Sequence, residues 1–316
     1  MKALVFNEFG NSDVLQYVDI PDAVAGKGEI LLDTTAIGLN FADIYRRKGN
    51  YHLVGEPPYV LGYEGAGVVV ALGEGVTDFA IGDRVAFVDV PLANAERVVV
   101  PVAQAIPIPD AIRDDVAASV LLQGLTASYL AKDSYAIKYG DVALVHAVAG
   151  GVGQMLTQII TSLGGKVIGL TSSEEKAEVA RKLGAEEVLL YSDNWSEKLA
   201  GKIDVAYDSV GSTLMDSFQA VRDKGTVVFY GMSGGDPVSV DPRMLMDTSK
   251  TLTGGDLWSF LTSREERIKR SHALFEMISA GKITVNKPRK FALSDGKAAH
   301  DLLESRKSTG KILLIP

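Results

Sequence analysis

The chain has no cysteine among its 316 residues. Disulfides, thiolate metal sites and cysteine nucleophiles are therefore excluded. Histidine is nearly as scarce: His52, His146, His272 and His300 are the full set, too few and too scattered for a tetrahedral soft-metal site built from sequence neighbours. No apolar run reaches the roughly 18 residues that a membrane helix needs. The opening "MKALVFNEFG" lacks the apolar core and small-residue cleavage site of a secretion signal, and reads instead as an alternating first strand. Nor is there an excess of basic charge. Net charge is −8, from 32 Lys and Arg against 40 Asp and Glu, which argues against nucleic acid or an anionic membrane as partner.

What remains is a globular composition, 47% hydrophobic and 23% charged, long enough for two domains that each bury a core. A cytoplasmic protein is the expectation. The first 120 or so residues are short alternating or β-branched stretches broken by glycine and proline, such as "GEILLDTTAIGLN", "VLGYEGAGVVVALG", "FAIGDRVAFVDV" and "AERVVVPVAQAIPIP". They predict an irregular β-barrel. From about residue 125 the rhythm becomes strand–helix–strand. "DVALVHA", "KVIGL", "EEVLLY", "IDVAYDSVG" and "TVVFYG" read as strands. "GVGQMLTQIITSLG", "SEEKAEVARKLGA" with Ser173 as its cap, and "STLMDSFQAVRDKG" read as the intervening helices. That alternation predicts an α/β domain with a doubly wound parallel sheet. A further helix, "SREERIKRSHALFEMISAGK", precedes a last segment whose closing strand could rejoin the first domain.

The stretch "AVAGGVGQ" joins the first of these strands to its helix. Gly150 and Gly153 occupy the second and third glycine positions of a G-x-G-x-x-G fingerprint, and Val148 stands where the first would be. The two glycines keep two functions: close backbone approach to a pyrophosphate and tight packing of helix on strand. The N–H groups of Gly151, Val152 and Gly153 open a helix and suit an anion. About twenty residues on, an NADH site usually carries an acidic residue for the ribose hydroxyls. Here the strand "KVIGL" runs into Thr171, Ser172 and Ser173, with Lys176 close behind. Hydroxyls and a cation suit a 2′-phosphate, so NADPH is the expected cofactor, with Glu174 and Glu175 weighing against it. Tyr191, at the end of the third strand, could add a hydroxyl.

Two rival chemistries are weak. Gly231 to Gly235 fits the G-x-S-x-G elbow around Ser233, but the elbow needs a helix at once, and "DPVSVDPRM" has two Asp-Pro pairs that disfavour helical entry. No tyrosine has a lysine four residues on, which removes the Tyr-x-x-x-Lys mechanism of short-chain dehydrogenases.

Taken with Asn40-Phe41-Ala42-Asp43, "GYEGAGVV", "GDRVAF", Gln123 to Ala127 in "QGLTA", "YDSVG" and "TGKILLIP", the chain resembles the quinone oxidoreductase (zeta-crystallin-like) branch of the medium-chain dehydrogenase/reductase superfamily. The resemblance implies a GroES-like catalytic barrel over 1–122, a Rossmann domain over 123–260 and a return segment over 261–316. It implies a homodimer or homotetramer, NADPH, and a small-molecule quinone or enone as substrate. Asn40, Asp43, Tyr45 and Tyr51 match positions lining the catalytic cleft, with Tyr45 or Tyr51 hydrogen-bonding the accepting oxygen. Ser209, Gly231 and Ser233 match the nicotinamide and ribose contacts, Thr126 a contact near the phosphates or the nicotinamide ribose, and Lys311 a cation reaching the cofactor phosphate. Zinc-dependent relatives carry a cysteine at the position of Asn40 and Gly-His-Glu at that of Gly62-Tyr63-Glu64. The expected site is zinc-free. Reduction of an enone or enal C=C bond uses the same parts, and a cofactor-binding protein with a non-enzymatic role is the third reading.

Overall fold

A computed structural model of the protein describes every residue from Met1 to Pro316. The chain divides into two compact units. One comprises 1–122, 261–279 and 285–316; the other comprises 123–260 and 280–284. The short segment Ala280–Thr284, expected in the return segment, thus belongs to the second unit. Gln158 explains why: its side-chain amide accepts from the Thr284 N–H (2.7 Å) and donates to the Thr284 carbonyl (3.2 Å).

The first unit contains β1 (Lys2–Phe6), β2 (Gln16–Asp19), β3 (Glu29–Leu39), helix α1 (Phe41–Arg47), β4 (Tyr59–Val60), β5 (Glu64–Leu72), β6 (Arg84–Val88), β7 (Arg97–Pro101), β8 (Ala105–Pro107) and the start of α2 (Asp114–Tyr129). It is completed by α8 (Arg264–Ser279), β15 (Arg289–Ala292), α9 (Gly296–Glu304) and β16 (Ile312–Ile315). Strand β3 organises the sheet. One edge pairs with β5, while the other is shared between β7 along residues 29–33 and β16 along 37–39. The closing strand therefore does rejoin the N-terminal sheet. Alternate residues of these strands, with Phe6, Ile30, Leu32, Phe87 and Leu314 among them, fill one core.

In the second unit the elements are β9 (Val142–Val145), α3 (Gly151–Ser162), β10 (Lys166–Thr171), α4 (Glu174–Lys182), β11 (Glu187–Leu190), α5 (Trp195–Lys198), β12 (Ile203–Asp208), α6 (Leu214–Ala220), β13 (Val221–Phe229), α7 (Pro242–Thr248) and β14 (Thr251–Gly254). Its six parallel strands run β11-β10-β9-β12-β13-β14. The chain winds outward from β9 to β11, then crosses back to β12. The switch point between β9 and β12 is where open α/β sheets receive ligands, at the strands' carboxyl ends. Both sheet faces are covered, which is why β9 is continuously apolar and β12 carries the unbroken run Val205–Tyr207 rather than an alternating pattern.

Two sequence expectations need correction. The helix expected through Gly225 ends at Ala220, because Val221 pairs with Ile203 and is buried in the core as the first residue of β13. The second Asp-Pro pair starts a helix instead of preventing one. Asp241 is extended, as a residue before proline should be, and its carboxylate accepts from the Arg243 N–H while Pro242 fills the first helical position. No helix is long and apolar enough to cross a membrane.

Candidate functional site

The first cluster of interest is the corner between β9 and α3. Ala147 takes a left-handed backbone (φ 46°), unusual for a residue with a side chain. This reverses the chain so that the Ala147 carbonyl accepts from the Gly150 N–H at 2.7 Å. The two glycines then separate by function. A Cβ on Gly153 would lie 2.5 Å from the Ala147 carbonyl oxygen and 2.7 Å from the Val148 Cα, so Gly153 is where helix meets strand. A Cβ on Gly150 would meet only the Ala147 oxygen at 3.0 Å and is otherwise open. Gly150 is also the N-cap of α3 and supplies no capping side chain. The first-turn N–H groups of Gly151, Val152 and Gly153 have no intrahelical carbonyl to donate to. An open approach to an uncapped helix start fits a phosphate.

Beyond β10, Ser173 caps α4 by accepting from the Lys176 N–H at 3.4 Å, and the Lys176 ammonium donates to the Ser172 hydroxyl at 3.1 Å. Ser172 and Lys176 are thus brought together as expected. Of the two carboxylates that weigh against an anion here, Glu174 is ion-paired with Arg181, which also holds Glu178. At the ends of β12 and β13, the Ser233 N–H and hydroxyl both donate to the Ser209 carbonyl at 3.0 Å, with Gly231 between them in the chain. Thr126 is buried in α2; Gln123, one turn earlier, lies so close against Gly151 that a Cβ there would collide with its side-chain amide.

Tyr191, the further hydroxyl expected at the cofactor, lies against the same corner. Its hydroxyl accepts from the Ala147 N–H at 2.8 Å and lies 3.3 Å from His146 Nδ1. His146 is fully buried, and burial holds its pKa below the ordinary histidine value. Its Nε2 lies 3.0 Å from the Ser217 hydroxyl, which donates to Asp208 at 2.7 Å. Thr213 donates to the same carboxylate oxygen at 2.9 Å. The other oxygen of Asp208 accepts from the Val210 and Gly211 N–H groups. Burial alone would raise the Asp208 pKa, but His146 and these donors hold it below the usual carboxylate range. None of His146, Asp208, Thr213 or Ser217 was singled out from sequence, although a histidine inside the apolar run "DVALVHA" is the available signal.

The first unit carries a second buried polar cluster. Asn40 caps α1, and its amide donates to the Gly38 carbonyl (3.1 Å) and to Glu64 (2.9 Å). Lys311 lies deep beside them: its ammonium donates to Glu64 at 2.5 Å and to Asn40 at 2.8 Å. The other Glu64 oxygen accepts from the Leu122 N–H. Lys311 therefore neutralises a carboxylate that is 0% exposed, which corrects its assignment as a phosphate ligand. Asp43, 1% exposed, closes the capping box through the Asn40 N–H, and burial raises its pKa. Asn40 and Asp43 thus shape α1 and its surroundings. Tyr45 and Tyr51 are only half-buried. The Arg46 guanidinium lies over the Tyr51 ring at 4.9 Å and over the Tyr63 ring at 3.5 Å, favourable cation–π placements.

Comparison with known proteins fits both halves. Residues 26–110 match the alcohol dehydrogenase GroES-like domain, and residues 151–275 match the zinc-binding dehydrogenase family. The quinone oxidoreductase of Pseudomonas aeruginosa is 38% identical over 324 residues, covering 100% of this chain and 99% of its own. A 2-haloacrylate reductase from a Burkholderia species is also 38% identical, covering 99% of this chain and 98% of its own. The crystal structure of Escherichia coli quinone oxidoreductase complexed with NADPH superposes with a TM-score of 0.96 at 36% identity, covering both chains fully. The chain belongs to the quinone oxidoreductase family of medium-chain dehydrogenase/reductases. Its fold is accordingly a GroES-like domain joined to a Rossmann domain.

One matched family is described as zinc-binding, so the donor set must be tested against that metal. In this family member Tyr63 stands against Arg46, Glu64 is paired with Lys311, and the Asn40 amide is bonded to Glu64 and Gly38. A cation already occupies the carboxylate, and no thiolate or imidazole lies among these groups. The residues do not suit zinc. The G-x-S-x-G reading fails as well. Ser233 is followed by a turn and by non-helical chain until Pro242, and its hydroxyl is bonded to a carbonyl.

Proposed function

We infer that the protein is an NADPH-dependent quinone oxidoreductase, passing hydride to a quinone or similar conjugated carbonyl without a metal. The observation that carries the reading is the pairing of Lys176 with Ser172 just past β10, beside an uncapped glycine turn, with Glu174 drawn off by Arg181. A carboxylate gripping ribose hydroxyls would occupy that place in an NADH enzyme. Gly150 to Gly153 would receive the pyrophosphate, and Ser172 and Lys176 the 2′-phosphate. Thr126, Ser209, Gly231 and Ser233 are assigned to the nicotinamide half.

NADPH, when bound, supplies the hydride. Two-electron reduction of a quinone adds one hydride and one proton and yields a hydroquinone. The acceptor is already electron-poor, so stabilising the oxygen that gains charge takes a hydrogen-bond donor rather than a Lewis acid. Tyr45 or Tyr51 is assigned that role, its phenol donating to the accepting oxygen. Asn40 and Asp43 act one step back, by fixing the start of α1 that carries Tyr45. The 2-haloacrylate reductase relative favours a second reading, reduction of an activated C=C bond. Deuterium at C4 of the reduced nicotinamide separates the two. An enal product keeps the label on carbon, whereas a hydroquinone formed by transfer to oxygen loses it to water. A homodimer or homotetramer in the cytoplasm completes the proposal, and light scattering after gel filtration checks the assembly.

A further inference from the structure

We propose that Arg46 is a positioning residue acting through Tyr51: its buried guanidinium, set over the Tyr51 ring, makes that phenol, and not Tyr45, the donor to the accepting oxygen. Arg46 is the penultimate residue of α1 and is 1% exposed. Its N–H donors, five in a guanidinium, are sparsely used. Nε donates to the His52 carbonyl at 3.1 Å, Nη1 stands 3.8 Å from Asp43, too far for a hydrogen bond, and Nη2 meets no acceptor. A buried charge so thinly bonded costs stability, and two aromatic rings take the place of the missing partners. The guanidinium carbon lies 3.5 Å from the centre of the Tyr63 ring and 4.9 Å from that of Tyr51. The Tyr45 ring meets the uncharged Phe41 ring, at 6.3 Å.

The two rings differ in what they can do with that charge. Tyr63 is 5% exposed, and burial raises its pKa, so it stays a neutral phenol and serves as a shelf for the guanidinium. Tyr51 is only half-buried, so it can meet an acceptor and be resupplied with a proton by water. Asp43 offsets the cation weakly. Burial raises its pKa as well, and its other oxygen already accepts from the Asn40 N–H at 2.9 Å. In the reduction, the nicotinamide C4–H bond breaks and its electron pair goes to the acceptor with the hydrogen. The accepting oxygen gains negative charge and takes the proton of the Tyr51 O–H, whose bonding pair stays on the phenol. Water then returns a proton to Tyr51. A cation over a ring face is attracted by the ring's electron density, so Arg46 holds Tyr51 more strongly as the proton departs than before. An interaction that strengthens in the transition state raises kcat rather than substrate affinity, and burial keeps water from screening it.

This proposal rests on the quinone reductase reading, which wild-type turnover tests separately. The test of Arg46 compares wild type, Arg46→Met, Tyr51→Phe, the double variant and Arg46→Lys, by quinone kinetics and by fluorescence titration of NADPH. Arg46→Met is expected to lower kcat about tenfold, the scale of one hydrogen bond to a charged group, with the quinone KM and the NADPH Kd within about twofold of wild type. Because Arg46 acts through Tyr51, the double variant should lose no more than about twofold beyond Tyr51→Phe. Arg46→Lys keeps the charge over the rings and should stay within about threefold of wild type. Binding of para-nitrophenolate in the presence of NADP+, read by its absorption shift, gives a measure independent of turnover. Its charged oxygen stands in for the accepting oxygen, and Arg46→Met should weaken it about tenfold. An unchanged kcat in Arg46→Met, a loss fully additive with Tyr51→Phe, or a loss confined to KM and the NADPH Kd would overturn the proposal. So would Arg46→Lys as slow as Arg46→Met, or a wild-type kcat in Tyr51→Phe. Should Arg46→Met fold poorly, Arg46→Gln keeps a donor for the His52 carbonyl without the charge, and the same outcomes apply. If wild type turns over no quinone, the functional reading fails on its own, and nitrophenolate affinity still decides whether Arg46 charges this site.

Discussion

Replacing Gly153 and Gly150 one at a time separates folding from binding within a single turn. A methyl group on Gly153 meets only backbone, at 2.5, 2.7 and 2.8 Å. None of these atoms is the tip of a flexible side chain, so helix α3 must retreat from the end of β9 by about 0.5 Å merely to restore the closest contact that proteins tolerate. Overpacking of this kind costs about 1–3 kcal/mol. Gly153 is the third residue of α3, in its first turn, so the interior helix propensity of alanine offsets little of this. The loss of about 1–3 kcal/mol corresponds to a fall in Tm of about 1.5–4.5 °C, at about 2.1 cal/mol/K of unfolding entropy per residue. Gly150 is extended (φ −76°, ψ 173°) and open on its outer side, so Gly150→Val should melt within about 2 °C of wild type. It should nonetheless weaken NADPH at least tenfold, about 1.4 kcal/mol, because the branched side chain stands where the pyrophosphate approaches. Thermal melts followed by circular dichroism, with NADPH titration by fluorescence, read both effects. Wild-type affinity in Gly150→Val would refute the turn as the cofactor site, and an unshifted Tm in Gly153→Ala would refute the packing argument.

Lys176→Ala should weaken NADPH far more than NADH, and equal losses would reject its 2′-phosphate role. Lys311→Met strands the Glu64 carboxylate in the core and should destabilise by about 3–5 kcal/mol; urea unfolding should show most of this recovered when Glu64→Gln is added. His300 is fully buried against Arg47, and burial and that guanidinium push its pKa down to about 3. The unfolded chain protonates this group below about pH 6.5 while the native state refuses the proton, so stability falls from there towards pH 3. Its share of the loss is about 2 kcal/mol at pH 5, and His300→Asn should lose that much less between pH 7 and pH 5 in denaturant titrations.

The fold was readable because its determinants are local. Apolar strands β9, β10 and β12 alternate with helices whose starts carry Gly150 and Ser173, and periodicity alone orders them. The pairing of Ser172 with Lys176 was readable for the same reason, being one helical turn long. What escaped depends on contacts that no spacing rule reaches. Lys311 meets Glu64 across 247 residues and Arg47 meets His300 across 253. The contacts of Tyr191 with Ala147 and His146 are likewise distant in sequence, and a hydroxyl at a strand end cannot reveal them by itself. The misplaced end of α6 has a related cause: "AVRDKG" has good helix formers, but Val221 gains more by pairing with Ile203 in the sheet.

The most direct test of the central claim is the initial rate of NADPH oxidation with a quinone, an enone, an enal and an unconjugated ketone, each repeated with NADH. The account predicts the fastest turnover with the quinone, little with the ketone, and a preference for NADPH that Lys176→Ala abolishes. A rate highest with the enal would transfer the assignment to C=C reduction. Tight NADPH binding with no turnover of any acceptor would contradict the enzyme reading itself.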